Sequence, residues 1–302
     1  MPTPKLTPGF SLVIPAWNEE SRLERTLSSY IPAFEAAGKD FEIIVVTDGC
    51  TDDTKSVAER MGSHGVRVLD FPERLGKGTA IFEGLKVTKH DRLGFADADG
   101  SVSAQDVLRV VAALDSSDCA IASRRTDGST LRAPRKLIRA TLSRGWNILV
   151  RGLLFLPFGD TQCGVKFLRR SAYLLVCGRT TMFRDWAFDV GLLVLLRRAG
   201  RSITEVPVAW SEEEGSKFSV VRDAPRMFRS LIGIRLMRPE VLDPNTPLPD
   251  PSPDGPLPAS AARTFPRLSS AVSTVVSPTR APGSSRSPSF SRESTWHNRG
   301  ND

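Results

Sequence analysis

The sequence predicts an α/β fold built on a mostly parallel sheet, and three observations carry that expectation. Short apolar runs alternate with segments of helical periodicity from residue 10 onward. The runs end in turn-rich polar loops rather than in tight hairpins. The chain has 302 residues, 40% of them hydrophobic, enough to bury the core of one large domain or two modest ones. Strands that alternate with helices at this spacing imply right-handed βαβ units, and in such sheets ligands sit beyond the carboxyl ends of the strands.

Taken in order, Phe10–Ile14 reads as a buried strand that Pro15 should end, and Asn18-Glu-Glu-Ser21 leads into a helix with Leu23, Leu27 and Ile31 on one side. Phe41–Val46 is a second strand, closed by Thr47-Asp-Gly-Cys-Thr-Asp-Asp-Thr54. A helix through Val57, Ala58 and Met61 and a strand at Val66–Leu69 follow. Arg74-Leu-Gly-Lys-Gly78 opens a helix carrying Ile81 and Leu85, and Asp91-Arg-Leu-Gly-Phe95 is the strand that delivers Ala96-Asp-Ala-Asp-Gly-Ser101. Beyond it come a helix at Ala104–Leu114, a strand at Cys119–Ser123, a basic and apolar helical region from about Pro134 to Phe158, a helix near Phe188–Arg198 and a strand at Ile203–Trp210. The expected organisation is a short extension (residues 1–9), one catalytic domain (10–240) and a tail (241–302). The tail from Asp243 onward holds eleven of the 22 prolines with little periodic apolar content, so it should not fold.

The net charge of +7 fits phosphorylated substrates, anionic lipid or nucleic acid. Nucleic acid is disfavoured, because no RRM, KH or zinc-finger pattern appears and the basic residues cluster in apolar segments. The four cysteines lack C-x-x-C spacing, which argues for reduced thiols and against zinc. The amino terminus has no apolar signal region, and no apolar run reaches the ~18 residues a membrane-spanning helix needs.

Four features carry chemistry. Pro15, Asn18 and Glu19 form a strand–P-x-x-N-E turn with a carboxylate suited to a nucleoside, or equally an ordinary strand exit with a helix cap. Asp48 closes the second strand, where it can accept from a base or ribose, or simply form an Asx turn. Gly76-Lys77-Gly78 lets backbone approach a ligand closely and brings a cation to phosphate, or equally forms a surface turn. Asp97 and Asp99, one residue apart at a strand end, can hold a hard divalent cation whose open positions take diphosphate oxygens. The order of the four within about ninety residues is far more specific than any one of them.

That order resembles the inverting family 2 glycosyltransferases with the GT-A fold, a Rossmann-like α/β architecture, and within them the polyprenyl-phosphate branch. The resemblance covers about residues 10–238. Ala96-Asp-Ala-Asp-Gly100, Asp160-Thr-Gln-Cys-Gly-Val-Lys166, Trp186-Ala-Phe-Asp-Val190 and Trp210-Ser-Glu-Glu-Glu-Gly-Ser-Lys217 lean toward dolichyl-phosphate glucosyltransferases rather than mannose synthases. It implies that Pro15, Trp17, Glu19, Asp48 and Lys77 line the nucleotide site and that Asp97 and Asp99 anchor Mg²⁺ or Mn²⁺. It also implies that Arg124, Arg139 and Lys217 meet the acceptor phosphate. Asp189, counted with Asp97 and Asp99 as a candidate catalytic residue, matches an acidic position facing the active site, where it would orient the acceptor or a basic side chain, or equally form an internal salt bridge. Ser101 stands where mannose synthases place a metal-contacting glutamine, so the resemblance implies a metal shell that is looser or completed by water. The implied reaction is transfer of a hexose, glucose from UDP-glucose, to a polyprenyl or dolichyl monophosphate. GDP-mannose as donor, or a soluble saccharide acceptor, are the alternatives. Leu137–Phe158 and Arg222–Arg238 combine apolar side chains with arginines, as segments lying in the headgroup plane do, or else they close the domain. Peripheral attachment to the cytoplasmic face of a membrane is the corresponding expectation.

Overall fold

The computed structural model describes residues 9–131, 137–177, 188–211 and 220–236; side chains are not described at 131, 137–143 and 220–227. The expectations for residues 1–8, for the tail 241–302 and for Lys217 lie outside the described residues, as does the side chain of Arg139.

The chain alternates as expected: β1 (Phe10–Ala16), α1 (Glu20–Ala36), β2 (Phe41–Asp48), α2 (Thr54–Arg60), β3 (Val66–Phe71), α3 (Lys77–Lys86), β4 (Arg92–Phe95), α4 (Ala104–Ala113) and β5 (Cys119–Ser123). Then follow β6 (Thr130–Leu131), α5 (Leu137–Leu154), β7 (Lys166–Arg169), α6 (Arg170–Val176), α7 (Phe188–Arg198), β8 (Ile203–Pro207), β9 (Ala209–Trp210) and α8 (Val220–Leu236). Seven strands form one sheet in the order β3-β2-β1-β4-β7-β5-β8. Only β7 runs antiparallel, against β4 and β5.

Alternation of side chains along each strand divides the core into two layers. Phe10, Leu12 and Ile14 of β1, Ile43 and Val45 of β2 and Phe167 of β7 pack under α1, α2 and α4. Val13, Ile44, Val46, Phe95 and Leu168 point the other way, toward α3, α6, α7 and the buried faces of α5 and α8. Both faces of the sheet are therefore covered, which is why its central strands read as continuous apolar runs.

Three expectations need correction. Pro15 does not end β1, which continues to Ala16 and pairs Pro15 with Val46. Val13 accepts from Ala96 on the β4 side, so Pro15, two residues on, turns its missing N–H toward the side where β4 has already ended at Phe95. The helix expected to reach Phe158 stops at Leu154, because Phe155 adopts a left-handed conformation with φ 53°. The strand expected over Ile203–Trp210 is split: after Pro207 the chain leaves the main sheet and pairs through β9 with β6.

Candidate functional site

The loops at the carboxyl ends of β1–β4 are tied to one another by side chains. Asn18, at φ 54°, turns the chain after β1, and its Oδ1 accepts from the backbone N–H of Thr51 at 2.7 Å. Trp17 lies under the guanidinium of Arg74, whose Cζ is 3.2 Å from the ring centroid, a cation–π stack that joins the loop after β1 to the loop before α3. The carboxylate of Glu19 pairs with Arg22 one turn on, at 2.5 Å. Asp48 is buried, and its two oxygens accept from the backbone N–H groups of Leu75, at 2.5 Å, and Gly76, at 3.1 Å. It thereby clamps the glycine turn that starts α3. Gly76 needs that residue type, since its φ of 93° is costly for any side chain.

Lys77, the first residue of α3, reaches across to Asp97, with Nζ 2.7 Å from Oδ1. Burial alone would lower the pKa of this ammonium, but Asp97, Asp189 and Asp99 outweigh it and hold it above the ordinary lysine range. Asp99 is the opposite case: burial and the like charge of Asp97 raise its carboxyl, while the N–H of Ser101, donating to Oδ1 at 3.0 Å, works against them.

Against Asp97 lies the segment 160–166, which the sequence marks as a family string without assigning its residues to the site. A Cβ at Gly164 would fall 2.0 Å from Oδ2 of Asp97, so glycine leaves the space that the carboxylate fills. Asp160 is buried and forks onto Arg124, accepting from Nε at 2.6 Å and from a terminal nitrogen at 2.9 Å. Lys166 is fully buried; its Nζ donates to the Cys163 carbonyl at 2.7 Å and lies 3.4 Å from Asp189. The register pairs Lys166 with Phe95, at the end of the strand that delivers Asp97.

The site residues therefore fall into groups. Trp17, Asp48, Lys77 and Asp97 are linked directly or through the 74–76 turn, and Asp99 and Asp189 add negative charge around Lys77. Pro15 stands one residue before the end of β1, and Glu19 pairs with its neighbour Arg22. Arg124 is turned to Asp160. Arg74, Asp160, Gly164 and Lys166 were missed as site residues. Arg74 and the charged ends of an otherwise uncharged 160–166 string were the available signals.

The donor set is compatible with a hard divalent cation that protein would hold only in part. Asp97 and Asp99 could supply oxygen ligands, and among the described residues no three His, Cys, Asp or Glu side chains converge in a way that could hold a metal. Diphosphate and water would have to complete the shell.

Known proteins share this chain's sequence pattern and fold. The model of the glycosyl transferase family 2 matches residues 11–175. A Drosophila melanogaster dolichyl-phosphate beta-glucosyltransferase is 35% identical over 240 residues, covering 74% of this chain and 73% of the relative. The human protein of the same name is 34% identical over 246 residues, covering 76% of each. Glucosyl-3-phosphoglycerate synthase from Mycobacterium tuberculosis, solved with Mn²⁺, UDP and phosphoglyceric acid, superposes with a TM-score of 0.57 at 21% identity, over 78% of this chain and 81% of that one. That likeness concerns the fold, which is GT-A. A family model spanning more than half of the residues, joined by relatives above 30% identity over about three quarters of the sequence, shows that the chain belongs to glycosyltransferase family 2.

Proposed function

We propose that this protein transfers glucose from UDP-glucose to a polyprenyl or dolichyl monophosphate, with inversion at the anomeric carbon. The observation that carries the reading is the linked rim of Trp17, Asp48, Lys77 and Asp97, in a chain about one third identical to several dolichyl-phosphate beta-glucosyltransferases. Pro15, Trp17, Glu19 and Asp48 are assigned to the nucleoside end, and Lys77 to the diphosphate. Mg²⁺ or Mn²⁺ held by Asp97 and Asp99 would supply Lewis-acid neutralisation of the departing nucleoside diphosphate.

A lipid monophosphate has a second pKa near ~6 and is largely dianionic at neutral pH, so it attacks without a strong general base. Positioning then supplies most of the acceleration. Arg124, Arg139 and Lys217 are assigned to the acceptor phosphate. Asp160 already engages two donors of Arg124, so a phosphate would share that fork. Asp189, bracketed by Lys166 and Lys77, is assigned a positioning role and not that of a base.

A lipid acceptor requires contact with a bilayer, and α5 and α8 suit that contact. Val150, Leu154, Leu231 and Ile234 are buried in the core, whereas Ile148 and Phe155 are each 69% exposed and Leu236 is 73% exposed. Arg144, Arg151, Arg229 and Arg235 are exposed on the same two helices, with Arg235 5.5 Å over the Phe155 ring. No helix among the described residues is long and apolar enough to cross a membrane. Peripheral binding at the cytoplasmic face, driven by apolar insertion and arginine–headgroup attraction, is the attachment this reading assigns.

Donor competition tests the assignment. Incorporation of label from UDP-glucose into lipid-extractable product is expected to fall with unlabelled UDP and to be insensitive to GDP-mannose. Preferential incorporation from GDP-mannose would move the protein to the mannose-synthase side. Release of free glucose without glycolipid would point to a soluble acceptor.

A further inference from the structure

We propose that Lys77 is a built-in counter-cation that occupies Asp97 while the donor is absent, so that a divalent cation binds tightly only together with a diphosphate. The inference rests on the reading of Asp97 and Asp99 as metal anchors and goes beyond it, because it assigns a binding order to the site.

Four observations support it. The Lys77 ammonium lies 2.7 Å from Oδ1 of Asp97, at the oxygen a cation would need. The chain supplies only a sparse ligand set there, with no third His, Cys, Asp or Glu converging among the described residues. Asp97 fills space that only glycine at 164 leaves open, since a Cβ there would fall 2.0 Å from its other oxygen. Lys77 itself is fixed at its backbone by the Asp48 clamp on Leu75 and Gly76, while its side chain lies within the field of a second carboxylate, Asp189. Asp189 is in turn anchored from below by the fully buried Lys166.

The charges make the exchange balanced. With Lys77 in place, one ammonium faces the two carboxylates assigned to the cation, Asp97 in direct contact and Asp99 nearby. A lone divalent cation arriving at Asp97 would set two like charges side by side in a partly buried space and displace the lysine from its closest partner. A diphosphate arriving with the cation gives Lys77 new anionic oxygens and leaves Asp97 to the metal. Such coupling between two ligands is reciprocal: the diphosphate tightens the cation by the factor with which the cation tightens the diphosphate.

The test is a titration of Mn²⁺, followed by the electron paramagnetic resonance signal of the free aqueous ion, on the full chain with and without UDP. The Mn²⁺ that UDP alone binds, measured in a protein-free titration, is subtracted. For the unaltered protein, UDP is expected to tighten Mn²⁺ by at least about tenfold, inside the 5–150-fold range usual for coupled sites. Lys77→Met should bind Mn²⁺ alone at least about tenfold more tightly than the unaltered protein does. Lys77→Arg, which keeps the charge, should restore weak binding. Equal Mn²⁺ affinity with and without UDP in the unaltered protein would overturn the proposal without any variant. A folded Lys77→Met that binds Mn²⁺ alone no better than the parent would overturn it as well. No sugar or lipid enters the readout. A protein that couples Mn²⁺ to UDP but makes no glycolipid supports this inference and fails the proposed function.

Discussion

Asp160 shows how much of the site depends on a single pairing. Burial would push its carboxyl upward, but the Arg124 guanidinium and its hydrogen bonds outweigh burial and hold it well below the usual carboxylate range. A carboxyl whose folded pKa is depressed contributes stability that is complete above its unfolded pKa of about 4 and is lost as the pH falls through the folded value. Asp160→Asn leaves Arg124 buried without its counter-charge and is expected to cost about 3–5 kcal/mol at neutral pH. Urea unfolding at a series of pH values checks this: the gap between parent and variant should shrink below about pH 4. A gap that does not change with pH would contradict the assignment. Arg124 was legible through the family resemblance. Its partner, 36 residues on, was not, because spacing along a chain does not say which carboxylate a folded loop will bring back. Asp48 teaches the same lesson in reverse. Its position at a strand end was legible, whereas its use as a clamp on backbone N–H groups required the fold.

Among the elements, β1 to β5 were readable because each lies in a βαβ repeat whose apolar runs alternate with helical periodicity. The strand β7 was not. It has four residues, it begins with Lys166, and it enters the sheet antiparallel between β4 and β5. A buried lysine at its start disguises it as a polar loop, and its hydrogen-bond partners are long-range. The fit of β7 against β4 depends on Gly94, where a Cβ would lie 2.4 Å from the Lys166 carbonyl oxygen and 2.4 Å from the Phe167 ring. Gly94→Ala is therefore expected to lower stability by about 1–3 kcal/mol through overpacking. It should also reduce turnover, because this pairing sets the distance between Asp97 and the segment 160–166. Thermal unfolding and a kinetic assay on the folded variant measure the two effects, and unchanged values for both would show that the strands can part without consequence. The α5 segment was legible as basic and apolar. Its division into a buried stripe with Val150 and Leu154 and an exposed stripe with Ile148 and Phe155 appears only once the sheet is in place.

At the scale of the whole molecule, α5 and α8 expose Ile148, Leu149, Phe228 and Leu236 beside Arg144, Arg151, Arg229 and Arg235. Phe155→Glu together with Ile148→Glu is expected to reduce co-flotation with vesicles containing anionic lipid by about tenfold, since burying each side chain is worth ~1.5–3 kcal/mol and the new charges oppose insertion. Unaltered flotation of the double variant would remove α5 from the contact. The central claim is that the Asp97/Asp99 rim moves glucose to a lipid phosphate. The most direct measurement is transfer of radiolabelled glucose from UDP-glucose to dolichyl phosphate by the full chain, beside the Asp97→Asn variant and with chelator. The account predicts a lipid-extractable β-linked product that chelator abolishes and that falls at least about a hundredfold in the variant, because losing metal-borne charge stabilisation costs several kcal/mol. Undiminished glycolipid from Asp97→Asn, or no glycolipid from the parent, would contradict it.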